Sequence, residues 1–279
     1  TFILSESLEL ETGTTYSGFG PQLILFEDLN CRIRADGHVL DDVRIQPVMS
    51  LVTNMGFSGF TGWNQFGSSW FYTQLDGLSQ GEGASLGTGA PSTLRQTLAA
   101  HPISTRNHGG SFLTLSTALF ASATASGNVT LGLVGPGQRM LGAQTFFVDS
   151  MPRGGWTRIS TTIQLDDDIN NTNQIEIHIT GESFGGTIVI DDVFVSGLAH
   201  IQGSMTFTEG LLVNRAHLNI NLTETDSILN SGTFDLFQGS VTVHGEGTLT
   251  MPGFTNIPQG GVLNLFGKGM MTLDHVTLV

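Results

Sequence analysis

The spacing of short apolar triplets constrains this chain more than any other feature. Ile220-Asn-Leu222, Val241-Thr-Val243 and Leu263-Asn-Leu265 repeat one apolar-polar-apolar pattern, with 21 residues from Leu222 to Val243 and 22 from Val243 to Leu265. A second column takes the same step through Leu212, Phe234, Ile257 and Leu278. Near the start, Leu10 to Ile33 is 23 residues and Leu23 to Ile45 is 22. A triplet is too short to stand as a strand alone. Recurring at a fixed step, triplets stack, pair their backbones and bury a continuous inner column. This spacing predicts a right-handed parallel β-helix, a solenoid with one coil per repeat.

Composition agrees with an all-β chain. Thirty-seven glycines and a single lysine, Lys268, leave little material for Ala/Leu/Glu/Lys-rich helices. The formal net charge of −14 excludes a nucleic-acid surface, which needs clustered Lys and Arg. No apolar run reaches the roughly 18 residues of a membrane span. Cys31 has no second cysteine to pair with and is expected to be buried. The strand-like pattern runs to the last residues, so both ends are expected to continue into a longer protein or to be capped by partner chains.

Between 47 and 197 the step disappears. Longer strands are expected at Ser111–Ala123, Asn128–Leu133, Trp156–Leu165, Gln174–Thr180 and Gly186–Ser196. Gly81–Gly89, Gly135-Pro-Gly137 and Asp166–Asn173 read as the links between them. About 150 residues of such strands is the size of an antiparallel jelly roll. The organisation expected is therefore first coils in 1–46, an inserted jelly roll in 47–197 and resumed coils in 198–279. A jelly roll with neighbouring termini can interrupt a solenoid turn.

Two resemblances follow from these words. Leu8-Glu-Leu-Glu-Thr-Gly-Thr-Thr-Tyr-Ser-Gly-Phe-Gly20 and Ile33-Arg-Ala-Asp-Gly-His-Val-Leu-Asp-Asp-Val-Arg-Ile45 resemble the opening coils of pectate-lyase-like β-helices. Phage tailspikes and tail fibres share this phrase with secreted polysaccharide lyases and hydrolases. In the middle segment, Leu51-Val-Thr-Asn-Met-Gly-Phe57, Thr61-Gly-Trp63, Ser92-Thr-Leu-Arg-Gln96, Trp156-Thr-Arg-Ile-Ser160 and Gly186-Thr-Ile-Val-Ile-Asp-Asp-Val193 are similar to galactose-binding-like jelly rolls of the carbohydrate-binding-module type. That resemblance implies core positions for Trp63 and Trp156. It also implies a structural calcium at Asp191 and Asp192, although Ser58 stands where the family carries a further acid.

Sugar binding needs an exposed aromatic ring with polar groups around it. Trp70, Phe71 and Tyr72 are consecutive, and alternation cannot bury all three on one face, so Trp70 or Tyr72 is the expected platform. Arg95 and Gln96 are expected beside the same groove. In the coils, Glu246 and Lys268 occupy equivalent Gly-X-Gly turns and are expected to form a salt bridge between adjacent coils. Asp41, Asp42, Glu209, Arg215, His217, Asp235, His244, Asp274 and His275 are scattered, and no catalytic constellation is legible among them. The Asn-X-Ser/Thr sequons at Asn128, Asn170 and Asn221 are of the kind chance supplies.

The expected function is a segment of a viral, phage-type tailspike or fibre. In it the solenoid is a rigid scaffold and the jelly roll a recognition module for a host surface glycan or receptor. Its partners are then two further copies in a homotrimer, with Phe254 and Met270 as outward apolar contacts, and other virion proteins. Its place is the virion or the extracellular medium. The alternatives are a secreted polysaccharide lyase or glycoside hydrolase with an appended binding module, and a cell-surface adhesin or filament subunit.

Overall fold

A computed structural model describes residues 2–4, 7–9, 15–16, 22–26, 30–34, 38–47, 50–74, 82–100, 111–253, 255–257, 261–268, 270–273 and 276–278. Among them the chain is all-β, with three short 3-10 turns and no α-helix. It divides into two compact units: Thr1–Met49 with Ser196–Val279, and Ser50–Val195.

The first unit is built of two parallel sheets. One has Ser7–Glu9, Asn30–Arg34, Leu198–Gln202, His217–Leu222, Ser240–Gly245 and Val262–Gly267 side by side in that order. Pairing places Ile33, Ile201, Ile220, Val243 and Leu265 in one row. The other sheet runs through His38–Pro47 and Met205–Asn214 to strands beginning at Ser227 and Thr233, again in parallel. Leu198–Gln202 pairs directly with Asn30–Arg34, so the ladder proceeds across the gap in sequence without a missing rung.

The registers correct several expected columns. Ile220, not Leu222, lies against Val243, because Leu222 faces Gly245. Leu211, not Leu212, faces Phe234, and Phe234 faces Thr255 rather than Ile257. Ile24, not Leu23, pairs with Ile45, and Leu8 is the residue that meets Ile33. Ile257 does pair with Leu278. Each error is one or two residues, the amount by which turns between strands differ in length. A slip of one sends a side chain to the opposite face.

Alternation then sorts the side chains. His217–Leu222 buries Leu218, Ile220 and Leu222, and Ser240–Gly245 buries Val241 and Val243. With Phe207, Leu211, Val213, Phe234, Leu249 and others these form one apolar core between the sheets. Gly245 is required by backbone approach: its φ is +109°, and a Cβ there would lie 1.9 Å from the carbonyl oxygen of Leu222. In the adjoining turns Lys268 Nζ stands 3.5 Å from Glu246 Oε1, so this column is a brace between neighbouring turns, worth at most about 1 kcal/mol at such exposure.

The second unit is a jelly-roll-like β-sandwich whose ten strands are numbered here β1–β10. They are β1 (Asn64–Phe66), β2 (Trp70–Thr73), β3 (Gly83–Leu86), β4 (Ser92–Thr97), β5 (Phe112–Ala121), β6 (Ser126–Gly135), β7 (Arg139–Phe147), β8 (Trp156–Gln164), β9 (Glu176–Gly185) and β10 (Ile188–Ser196). One sheet has the order β7-β6-β9-β4-β1 and the other β8-β5-β10-β3-β2. Antiparallel pairing joins β9 to both β4 and β6, β6 to β7, and β5 to β8. Leu94, Leu131, Ile177 and Ile179 of the first sheet and Leu113, Leu115, Ile159 and Ile190 of the second are buried.

β7 was not expected from sequence, and β3 falls inside a stretch read as a glycine-rich link. β7 is an edge strand whose side chains are mostly exposed, so it lacks the apolar alternation that announces a half-buried strand. The 166–173 link is a loop as expected, held by Arg139 to Asp166 at 3.0 Å and to Asp168 at 2.7 Å. Phe254, Asp274 and His275 lie outside the described residues, as do the side chains of Cys31, Asp41, Asp42 and Met270.

Phe234→Ala empties a fully buried position between the parallel sheets and is expected to cost about 3–5 kcal/mol in denaturant unfolding. Leu229→Ala, at an exposed position of the same unit, is expected to stay within about 0.5 kcal/mol.

Candidate functional site

The open face of the β7-β6-β9-β4-β1 sheet is built by alternation. β9 turns Ile177, Ile179 and Gly181 inward, which sends Glu176, His178, Thr180 and Glu182 outward. β4 likewise buries Leu94 and Gln96 and presents Thr93 and Arg95. Register aligns the outward residues into rows crossing the five strands. One row is Phe66, Thr93, Thr180, Thr130 and Thr145. The next is Asn64, Arg95, His178, Gly132 and Ala143, and beyond the threonines Glu182, Asn128 and Phe147 form a third.

The threonine row is tied internally. Thr93 and Thr180 hydroxyls are 2.8 Å apart, and those of Thr130 and Thr145 are 2.9 Å apart. Asn128 Nδ2 donates to Glu182 Oε2 at 3.5 Å. His178 Nε2 lies 3.1 Å from Glu176 Oε2, which also accepts from Gln138 Nε2 at 3.5 Å. The His178 contact, more than any other, holds the Glu176 carboxyl below the usual carboxylate range. Phe66 and Phe147, 51% and 62% exposed, stand at the two edges. Chemically this is a flat surface of hydroxyls, amides and charged groups bounded by two aromatic rings. It can take hydroxyl groups by hydrogen bonds and apolar ring faces by stacking.

The four residues expected to bind sugar are not together. Trp70 is 2% exposed, and its indole N–H donates to the carbonyl of Ser92 at 2.9 Å, so it is a core residue and not a platform. Gly181 makes room for it, since a Cβ there would come 2.8 Å from the indole. Tyr72 is exposed, but on the edge strand of the other sheet. Its hydroxyl is bonded at 2.5 Å to Glu82, which pushes its pKa up. Gln96 is buried: its Oε1 accepts from Thr53 N at 2.7 Å, and its Nε2 donates to Thr53 O and Gly62 O, pinning the segment that precedes β1. Only Arg95 belongs to the open face. Its guanidinium carbon sits 4.0 Å from the centre of the Phe66 ring.

Sequence reasoning missed Phe66, Thr93, Thr130, His178, Thr180 and Phe147. The polar alternation of Glu176, His178, Thr180 and Glu182 announces an outward face. Nothing local says that β4 and β6 flank it. Trp63 is buried as expected, whereas Trp156 is half-buried against Phe120, with ring centres 5.7 Å apart.

Asp191 and Asp192 do not fit the calcium that the resemblance implies. Both are fully buried in β10. The Asp192 carboxylate is bonded to the buried guanidinium of Arg158, which also donates to Asp192 O at 3.0 Å and lies 5.0 Å over the Phe194 ring. Asp191 Oδ1 accepts from the backbone N–H of Asp192 at 2.6 Å. A fixed positive charge already stands where the cation would gather oxygens. Among the described residues no group of three or more His, Cys, Asp or Glu side chains is placed to hold a metal.

In the first unit, a groove of about 610 Å³ is lined by Arg34, Gln202, Asn221, Thr223, Asp226 and His244 among others. A smaller hollow of about 240 Å³ includes Arg44, Glu209 and Asp235.

No protein-family model matches this chain, and no curated protein sequence matches it. Among solved structures, TmCBM61, described in complex with β-1,4-galactotriose, is 12% identical with a TM-score of 0.40, over 53% of this chain and 97% of its own. A family 16 carbohydrate-binding module gives 12% and 0.37 over 52% and 98%. The enzymatically active domain of tailspike protein 4 of bacteriophage CBA120 gives 12% and 0.40 over 68% of this chain and 36% of its own.

Three outcomes test the site's framework. Arg158→Ala removes the counter-charge beside a buried carboxylate and is expected to cost about 3–5 kcal/mol; adding calcium or a chelator to the unaltered protein is expected to leave its Tm unchanged. Because Glu176 has a depressed folded pKa, its stabilising contribution is present above the unfolded value of about 4.3 and lost as pH falls through the folded one. Denaturant titrations should therefore show the protein more stable than Glu176→Gln at pH 6, with the gap closing below about pH 4.

Proposed function

We propose that this chain is a glycan-binding segment of a viral, phage-type tailspike or fibre, with the open face of the sandwich as its recognition surface. The observation that carries the binding reading is the row of four threonines crossing the sheet from Phe66, flanked by Asn64, Asn128 and Phe147. Extended sugar chains offer what this surface can take: hydroxyls for the threonines and amides, and C–H faces for the rings. The stacked parallel strands of the other unit support the reading of a right-handed parallel β-helix acting as a stiff scaffold. Homotrimer assembly, contact with other virion proteins and residence on the virion belong to the same proposal. The opening-coil resemblance supports them, and the mass of the particle in solution tests the trimer.

A second reading, a polysaccharide lyase or hydrolase, draws on the hollow that gathers Arg44, Glu209 and Asp235, since sugar hydrolysis uses paired carboxylates. Depolymerisation of a glycan that is lost in Glu209→Gln and Asp235→Asn would favour it.

The binding reading is tested by glycan-array and calorimetric measurements on the full chain. Phe147→Ala and Asn128→Ala are expected to weaken binding at least about tenfold each, roughly 1.4 kcal/mol, while Tyr72→Ala on the other sheet leaves it unchanged. Binding that ignores the first two substitutions and falls with the third overturns this assignment of the face.

A further inference from the structure

We infer that the glycan taken by this face carries a carboxylate, and that Arg95 reads it; the inference rests on the glycan-binding reading above. Arg95 projects from the middle of β4 beside the edge strand β1, and its guanidinium carbon lies over the Phe66 ring, 4.0 Å from the ring centre. Cation–π attraction at that distance holds the guanidinium against the ring without using any of its N–H groups as hydrogen-bond donors. Arg95 makes no hydrogen bond and no ion pair with any described residue, and its Nε is buried without an acceptor. A buried donor left unpaired costs free energy that an arriving oxygen recovers.

The neighbouring acid is already engaged. Glu176, diagonal to Arg95, has its Oε2 on His178 and Gln138. Glu182 lies four residues further along β9 from His178, roughly 13 Å at strand spacing, and is tied to Asn128. Beyond His178 the same row continues through Gly132, against which Met140 Sδ lies 3.5 Å from the Cβ position, to Ala143, so no further charged group follows along it. A planar, pre-oriented fork with free N–H edges matches a carboxylate by two parallel hydrogen bonds. A neutral hydroxyl can use only one of them. The net charge of −14 repels anions at long range, so selection of an acidic sugar must come from this short-range geometry.

The test compares a hexuronate-containing oligosaccharide with the same oligosaccharide after reduction of its carboxyl groups to alcohols, each titrated into the full chain. The acidic form is expected to bind about 10- to 100-fold tighter, the range of a charge-assisted bidentate contact. Arg95→Gln is expected to erase that preference with Tm unchanged, and Arg95→Lys to restore only part of it, because the charge returns without the fork. Equal binding of the two forms, or a preference that survives Arg95→Gln, overturns the inference. Binding of neutral glycans alone at this face overturns it too, while leaving the glycan-binding reading standing. If no glycan of either kind binds, both fall.

Discussion

The backbone ladder between strands is the interaction on which everything else in this chain depends. Each strand here is short, many of them three to six residues, and none could hold its conformation alone. Pairing satisfies the N–H and C=O groups and, in the same act, fixes which side chains share a row. In the first unit that act stacks Ile33, Ile201, Ile220 and Val243 into a core. In the second it lays four threonines end to end across an open face. Core and surface are therefore two results of one register.

The two units use that ladder differently. Successive parallel strands of the first unit are separated by a nearly constant number of residues, so inward residues recur at a regular sequence distance, and close approach of neighbouring turns demands glycine at Gly245. The antiparallel sandwich brings together strands from distant parts of the chain. Its second sheet carries β10 with every residue buried, two aspartates included. The Arg158–Asp192 pair makes that burial tolerable, because an ionised carboxylate in such a place needs a counter-charge and hydrogen bonds. The pair also explains why an Ile-Asp-Asp-Val word that resembles a metal-binding strand need not hold a metal in this chain.

Exposure of aromatic residues follows position in the sheet more than residue type. Trp70 and Phe71 are adjacent on the same edge strand, yet the indole fills the space left by Gly181 while Phe71 stays on the surface. Phe66 serves the open face because β1 is the last strand of its sheet, and its ring finds Arg95 two residues along the neighbouring strand rather than another apolar group. The open face is thus assembled from edge strands at both ends and polar positions in between.

The sequence by itself determined the β class, the repeating step and the stretch where that step stops, because alternation and repeat length are local or periodic properties. It also announced that Glu246 and Lys268 would meet, since one repeat of the step separates them. It placed columns within one or two residues, and no closer, because turn lengths vary and alternation alone does not set the register. Only the tertiary structure decided that Trp70 and Gln96 are internal, that β7 exists, and that Arg95 faces His178 and Phe66. Those facts depend on pairings between β1, β4, β6 and β9, which are separated by tens of residues, and the hydrogen bonds of an antiparallel sheet leave no mark in sequence of which strand will be the neighbour.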